Sequence, residues 1–280
     1  MPEPNDSPLL EAITGATCRA LLQAERELPD DVTNTIRRAR QAETTPIARE
    51  QLDRILENIT LARESSVPLC QDTGVPVIYL TLPADVPFTR GILDALADGV
   101  RRATGAVPLR PNIVDPLTRE NTLDNTGPGM PAVHVRPGEY LEITVLPKGA
   151  GAENLSRIGM LLPAETDRIE AFVAETMLIA GSRPCPPVVL GVGIGSTFDG
   201  AAALAKEALL LPIDTMDPFE EHLCGAVNRL GIGPMGLGGR VTALAVKVKK
   251  AHCHTATLPV AVNVQCWACR RATVRVEYRS

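Results

Sequence analysis

The chain has 280 residues, 45% of them hydrophobic, with 28 Lys and Arg against 33 Asp and Glu and a formal net charge of -5. That length and apolar content suffice for a full hydrophobic core, whereas the balanced, slightly acidic surface lacks the basic field that neutralises a phosphate backbone. Three Tyr, four Phe and one Trp are also too few for a base-stacking surface, so no nucleic-acid partner is expected.

In chain order, the opening segment MPEPNDSPLL has neither the basic n-region nor the apolar h-region of a secretory signal. No apolar run approaches the roughly 20 residues that cross a bilayer. A cytoplasmic protein without membrane contact is the expectation. From Ser7 to about Ser66 the apolar residues recur at helical spacing (Leu9, Leu10, Ile13; Cys18, Leu21, Leu22; Leu52, Ile55, Leu56, Ile59), which predicts about three helices. Pro29 and Asp30 mark the first turn, and Thr44, Thr45 and Pro46 mark the start of the third helix.

After Pro68 the pattern changes to short β-rich runs: Val75 to Leu82, Glu139 to Leu146, Val188 to Gly193, Val241 to Val248 and Leu258 to Val264, with helical stretches between several of them. The fold class is therefore mixed α/β. A helical region over 1–66 precedes an α/β region over 67–280, read as one continuous domain. The 24 prolines and 22 glycines fall mostly between the runs and imply tight, shaped connections.

Seven cysteines in a reducing compartment, an odd number, argue against a disulfide framework. Cys70 sits in Pro68-Leu-Cys-Gln-Asp-Thr-Gly74, directly before a predicted strand. Cys185 precedes the run that starts at Val188, and Cys266 follows the run that ends at Val264. Thiolates at the ends of separate strands can converge in an α/β fold, and three of them leave a coordination position open for a Lewis acid. A competing local pattern is His252-Cys253-His254 with Cys266-x-x-Cys269, a spacing that suits zinc. A single cysteine is otherwise an ordinary small core residue.

Two glycine-rich strings suggest a different class. Gly191-Val-Gly-Ile-Gly195 would fit a nucleotide-binding oxidoreductase, but its spacing is not that of a dinucleotide fingerprint. Gly231 to Gly239 lacks the Lys-Ser/Thr ending of a phosphate loop. Tight turning explains these glycines without a cofactor. A zinc-stabilised, non-catalytic binding subunit is a further reading.

Taken together, PLCQDTG (Pro68 to Gly74), LRPNIVDPLTRENTLDNTGP (Leu109 to Pro128), LPKGAGAEN (Leu146 to Asn154), CPPVVLGVGIG (Cys185 to Gly195), GIGPMGLGG (Gly231 to Gly239) and LPVAVNVQC (Leu258 to Cys266) resemble class I fumarate hydratase, in its α subunit. L-tartrate dehydratase belongs to the same group. The resemblance covers essentially the whole chain. It implies a hydro-lyase that interconverts a hydroxy-dicarboxylate with its dehydrated partner, malate with fumarate first and L-tartrate as the alternative substrate. It implies a [4Fe-4S] cluster held by Cys70, Cys185 and Cys266, with one iron left to the substrate. By the same resemblance Gln71 and Arg110 bind substrate, the Lys148, Gly149 and Gly151 loop approaches it through the backbone, and Asp72 and His254 are the catalytic side chains. A separate β subunit, in an α2β2 assembly, would supply the rest of the site.

Two features depart from the family pattern. The loop Lys148-Gly-Ala-Gly-Ala-Glu153 stands where a glycine run and a serine are more usual, and Cys269 is an additional cysteine, read as a bystander. For Asp72 the residues also allow an Asx-turn role, and for His254 that of a core histidine.

Overall fold

In the computed structural model, which describes residues 7–278, the helical periodicity of the first 65 residues resolves into α1 (Ser7–Arg26), α2 (Asp30–Ala42) and α3 (Pro46–Ser65). Pro29 caps α2 and Pro46 opens α3, positions where a missing N–H costs nothing. The remaining elements are β1 (Val75–Leu82), α4 (Arg90–Ala106), β2 (Ala132–Pro137), β3 (Glu142–Lys148), α5 (Ala150–Glu153), β4 (Arg157–Leu161), α6 (Arg168–Ala180), β5 (Val188–Ser196), α7 (Phe198–Ala208), α8 (Pro218–Asn228), β6 (Ala243–Cys253), β7 (Leu258–Gln265) and β8 (Ala272–Arg275). No helix among the described residues is long and apolar enough to cross a membrane.

The elements fall into two compact units, each discontinuous along the chain. Among the described residues, the first comprises 7–28, 61–148 and 270–278. Its sheet has the order β2-β1-β3-β8, with β1 parallel to β2 and every other pair antiparallel. Ile78, Leu80 and Leu82 of β1 and Ile143 and Val145 of β3 pack with Ile13, Ala16 and Ala20 of α1 and with Ile92, Leu96 and Val100 of α4 in one buried cluster. The two helices cross closely. A Cβ on Gly99 of α4 would lie 2.5 Å from the Thr17 Cβ of α1, and Thr14 Oγ1 donates to the Ala95 carbonyl at 3.0 Å.

The second unit comprises residues 29–60 and 149–269. Its sheet has the order β4-β7-β5-β6, in which β5 runs parallel to β6 and antiparallel to β7. Val173 and Met177 of α6 and Leu223 and Val227 of α8 pack with Leu190, Val192, Val260 and Val262 in one buried cluster. Ala201 and Ala205 of α7 form another with Ala261. Here lies the reason for the Gly191 and Gly193 pattern. A Cβ at either position would sit about 2 Å from a carbonyl oxygen of α7, of Ala205 or Ala201 respectively. The glycines thus let a helix backbone rest directly on β5; close packing, more than tight turning, accounts for them.

Three strands escaped the sequence reading: β2, β4 and β8. They are short edge strands whose residues are mostly half-exposed, so they show no apolar run. β3 begins at Glu142, after the turn through Gly138 to Tyr140, and β6 runs on to Cys253 through residues too polar to read as a buried strand.

In the second unit, the fully buried Glu43 accepts the backbone N–H groups of Arg240 (2.8 Å), Val241 (3.1 Å) and Thr44 (2.9 Å). Burial opposes its ionisation, yet these backbone donors together hold the carboxyl below the usual glutamate range.

Two outcomes follow from these contacts. Gly99→Ala should destabilise the protein by about 1–3 kcal/mol through overpacking against α1, the reverse of the gain that helix propensity alone predicts; thermal unfolding of the pair decides it. Glu43→Gln should cost about 1–3 kcal/mol near neutral pH. Because the folded-state pKa is depressed, that difference should persist above the unfolded carboxyl range and shrink as pH falls through the folded value, which urea unfolding at a series of pH values would measure.

Candidate functional site

In the first unit the PLCQDTG string becomes a turn between α3 and β1. Cys70 is half-buried, Gln71 is exposed and Asp72 is partly buried. Asp72 Oδ1 accepts the Gly74 N–H at 2.9 Å, an Asx-type turn. Gly74 has φ +70, and a Cβ there would come within 2.7 Å of the Lys148 carbonyl carbon and oxygen. The glycine is therefore what lets the turn close against the end of β3, where Val75 pairs with Lys148.

Thr73 then gathers the next motif. Its Oγ1 accepts the Arg110 N–H and the Asn112 side-chain amide, both at 3.2 Å, and Asn112 Nδ2 also donates to the Gly74 carbonyl at 2.8 Å. Asn125 holds the same stretch from the other side, accepting from Asn112 N–H at 2.7 Å and donating to the Arg110 carbonyl at 3.1 Å. The backbone of Arg110 is thus fixed while its side chain is exposed. Lys148 is fully buried. Cys70, Gln71, Asp72, Arg110 and Lys148 accordingly belong to one hydrogen-bonded corner of this unit.

The same corner contains a buried ion pair. Arg270 Nη1 meets Glu25 Oε2 at 2.6 Å, with the two side chains 1% and 0% exposed. Arg270 Nη2 donates to the Asp72 carbonyl at 2.8 Å, and the Glu25 carbonyl accepts the Leu69 N–H at 2.8 Å. Burial pushes the Glu25 carboxyl up to about 7, against the pull of Arg270.

In the second unit, Cys185 and Cys266 lie at one end of the sheet. Cys185 is exposed with φ +53, three residues before β5 begins, and its carbonyl accepts the Trp267 N–H at 3.4 Å. Cys266 is half-buried and follows β7 directly, at the point where Gln265 pairs with Val189. The start of α5, with Gly149 as its N-cap, comes to the same end: a Cβ on Gly151 would lie 4.0 Å from the Arg183 carbonyl oxygen.

His254 is elsewhere. It follows β6, whose Cys253 pairs with Ser196 at the opposite end of β5, about 20–25 Å from the Val189 end at the usual rise per residue. It is exposed, and its Nδ1 accepts the Ala256 N–H at 3.1 Å. The strand register therefore does not bring His254 to Cys185 and Cys266 within the chain. The same separation corrects the zinc pattern, because His252, Cys253 and His254 stand at one end of the sheet and Cys266 and Cys269 at the other. Among the described residues, no three His, Cys, Asp or Glu side chains are gathered closely enough to hold a metal ion.

None of the seven cysteines is in a disulfide. Cys269 is fully buried with its Sγ directed to the Leu209 carbonyl at 3.8 Å, so it does not join Cys266 as a neighbouring ligand. Cys253 ends β6 at the other end of that sheet, so Cys185 and Cys266 are the thiols at this end of the second unit, while Cys70 stands before β1 in the first. Thiolates are the donor type that an iron–sulfur cluster takes. The sequence reading missed Glu25 and Arg270. Glu25 could have been found as the single acid within the apolar stripe of α1, while Arg270 gave no local signal.

A family model described as fumarate hydratase (Fumerase) matches residues 14–275. A protein of Methanocaldococcus jannaschii, provisionally named L(+)-tartrate dehydratase subunit alpha, is 45% identical over 263 residues, covering 89% of this chain and 92% of its own length. The Escherichia coli protein named L(+)-tartrate dehydratase subunit alpha is 33% identical over 286 residues, covering 99% of this chain and 94% of its own. With a match that runs from α1 to the last strand, and relatives of this identity along nearly the full length, the chain belongs to the fumarate hydratase (Fumerase) family.

Proposed function

We propose that this chain is the α subunit of a cytoplasmic iron–sulfur hydro-lyase that interconverts malate with fumarate and water. Hydro-lyase chemistry follows from the family. The observation that carries the cluster reading is the placing of Cys185 and Cys266 in neighbouring segments at one sheet end, beside the start of α5. L-tartrate dehydration is the second reading, favoured by the names of the relatives. Because those relatives are named α subunits, we assign a β subunit as partner, in an α2β2 assembly.

In this proposal Cys70, Cys185 and Cys266 are the thiolate ligands of a [4Fe-4S] cluster. When bound, the cluster supplies a Lewis-acidic iron for the departing hydroxyl, a poor leaving group on its own. This chain's own residues supply part of what remains, and the β subunit the other part. Arg110, its backbone fixed by Thr73 and Asn125, offers a planar guanidinium to a substrate carboxylate, which it can hold bidentately as negative charge grows during proton removal. Gln71 donates to the same dicarboxylate. Gly149 and Gly151 admit it close to the backbone because they carry no side chain. To Asp72, whose Oδ1 accepts the Gly74 N–H, we assign the exchange of a proton with the departing or attacking water. His254, the other catalytic side chain that the family resemblance implies, stands at the far end of the second unit's sheet from Cys185 and Cys266.

The first test is iron, zinc and acid-labile sulfide per chain, on protein made without oxygen together with the β chain. About four irons with matching sulfide are expected in wild type and not in Cys185→Ser. Zinc without sulfide in both proteins would overturn the reading. Assays with malate, fumarate and L-tartrate then choose the substrate. In the loaded enzyme, Arg110→Lys keeps the charge but loses the fork, and should lower kcat/KM for the preferred dicarboxylate by about 100-fold while leaving the iron content unchanged.

A further inference from the structure

The turn that carries Cys70 and Asp72 is tied at both ends to one buried pair. Upstream, the Leu69 N–H donates to the backbone carbonyl of Glu25 at 2.8 Å. Downstream, Arg270 donates to the carbonyl of Asp72 at 2.8 Å while its other terminal nitrogen is on the Glu25 carboxylate at 2.6 Å. Between the anchors lie only Cys70 and Gln71. The pair is 1% and 0% exposed. A buried ion pair is a poor way to gain stability, since apolar residues of similar volume often do as well or better. What an apolar replacement lacks is a donor for the Asp72 carbonyl. A guanidinium has two terminal nitrogens in a rigid fork and can serve a carboxylate and a carbonyl together; a lysine ammonium is a single point on a flexible stem.

We propose that Arg270, oriented by Glu25, is a positioning residue that fixes the Cys70–Asp72 turn and so presents the Cys70 thiol and the Asp72 carboxyl in one orientation. It acts through the turn's backbone, at the Asp72 carbonyl. The proposal rests on the assignment of Cys70 as a cluster ligand and Asp72 as the proton-exchanging group, but its primary test does not. Loss of the Arg270 contact frees the downstream anchor and leaves the upstream one, so the effect should centre on Cys70, with Cys18 of α1 in the same unit little changed.

The experiment measures iodoacetamide alkylation of each cysteine by peptide mass spectrometry, on the full chain stripped of iron by chelation. It compares wild type, Arg270→Lys, Arg270→Met and Glu25→Gln. Cys70 alkylation is expected to rise about tenfold in Arg270→Met, as for loss of one charge-assisted hydrogen bond, and by a smaller factor in Arg270→Lys and Glu25→Gln, with Cys18 and Cys224 at wild-type rates. A Cys70 rate within about twofold of wild type in all three variants would overturn the proposal. So would a parallel rise at Cys18 and Cys224, which would make the pair a general element of stability. In the loaded enzyme, kcat should fall in Arg270→Lys while KM for the dicarboxylate stays within about twofold. If the wild type holds no iron and sulfide, the hydro-lyase reading of the cysteines fails, and the Cys70 alkylation contrast still decides the role of Arg270.

Discussion

Irregular backbone is where this chain places its candidate site, and irregular backbone has N–H and C=O groups that no helix or ladder satisfies. The fold meets that constraint with buried polar side chains. Arg270 answers the carbonyl of Asp72, Asn112 the carbonyl of Gly74, Thr73 the N–H of Arg110, and Asn125 the carbonyl of Arg110 and the N–H of Asn112. In the second unit Glu43 does the same for Arg240 and Val241, and Glu220, paired with Lys247, accepts the N–H of Val248 on the edge strand β6. Each buried charge is costly alone. Matched, it holds a loop in one shape, which a site presented on loops requires.

The distinction between what was legible in the sequence and what was not has the same origin. Apolar periodicity located α1, α2 and α3, and the buried strands β1, β5 and β7, because those elements are specified by local repeats. The short edge strands β2, β4 and β8 are specified by their partners across the sheet, and their half-exposed residues carry no such repeat. At the site, the PLCQDTG turn and the cysteines beside Val188 and Gln265 stood out as motifs. Distance between motifs did not. That β6 carries His254 to the far end of the sheet, away from Cys266 only twelve residues later, follows from strand direction and register. The Glu25 and Arg270 pair, 245 residues apart, is visible only once the chain has folded.

The chemistry divides along comparable lines. Departure of hydroxide and removal of a proton from the adjacent carbon call for an electrophile on one side and carboxylate-binding cations on the other. In the function proposed above, thiolates would hold the electrophile, and Arg110, with its fixed backbone and exposed side chain, would be such a cation. Malate and tartrate differ by one hydroxyl. A site built to bond that hydroxyl can discriminate strongly, whereas one that merely leaves space for it discriminates weakly.

The sequence separation of the buried pair also bears on how the protein is made. Glu25 leaves the ribosome 245 residues before Arg270, and β8, the edge strand beside β3, comes later still. Until then α1 carries an acid in its apolar stripe without its cation, and β3 lacks its outer neighbour. The first unit cannot be completed during synthesis of its own early segments; its closure waits for the last strand, so long-range closure is part of its folding cost.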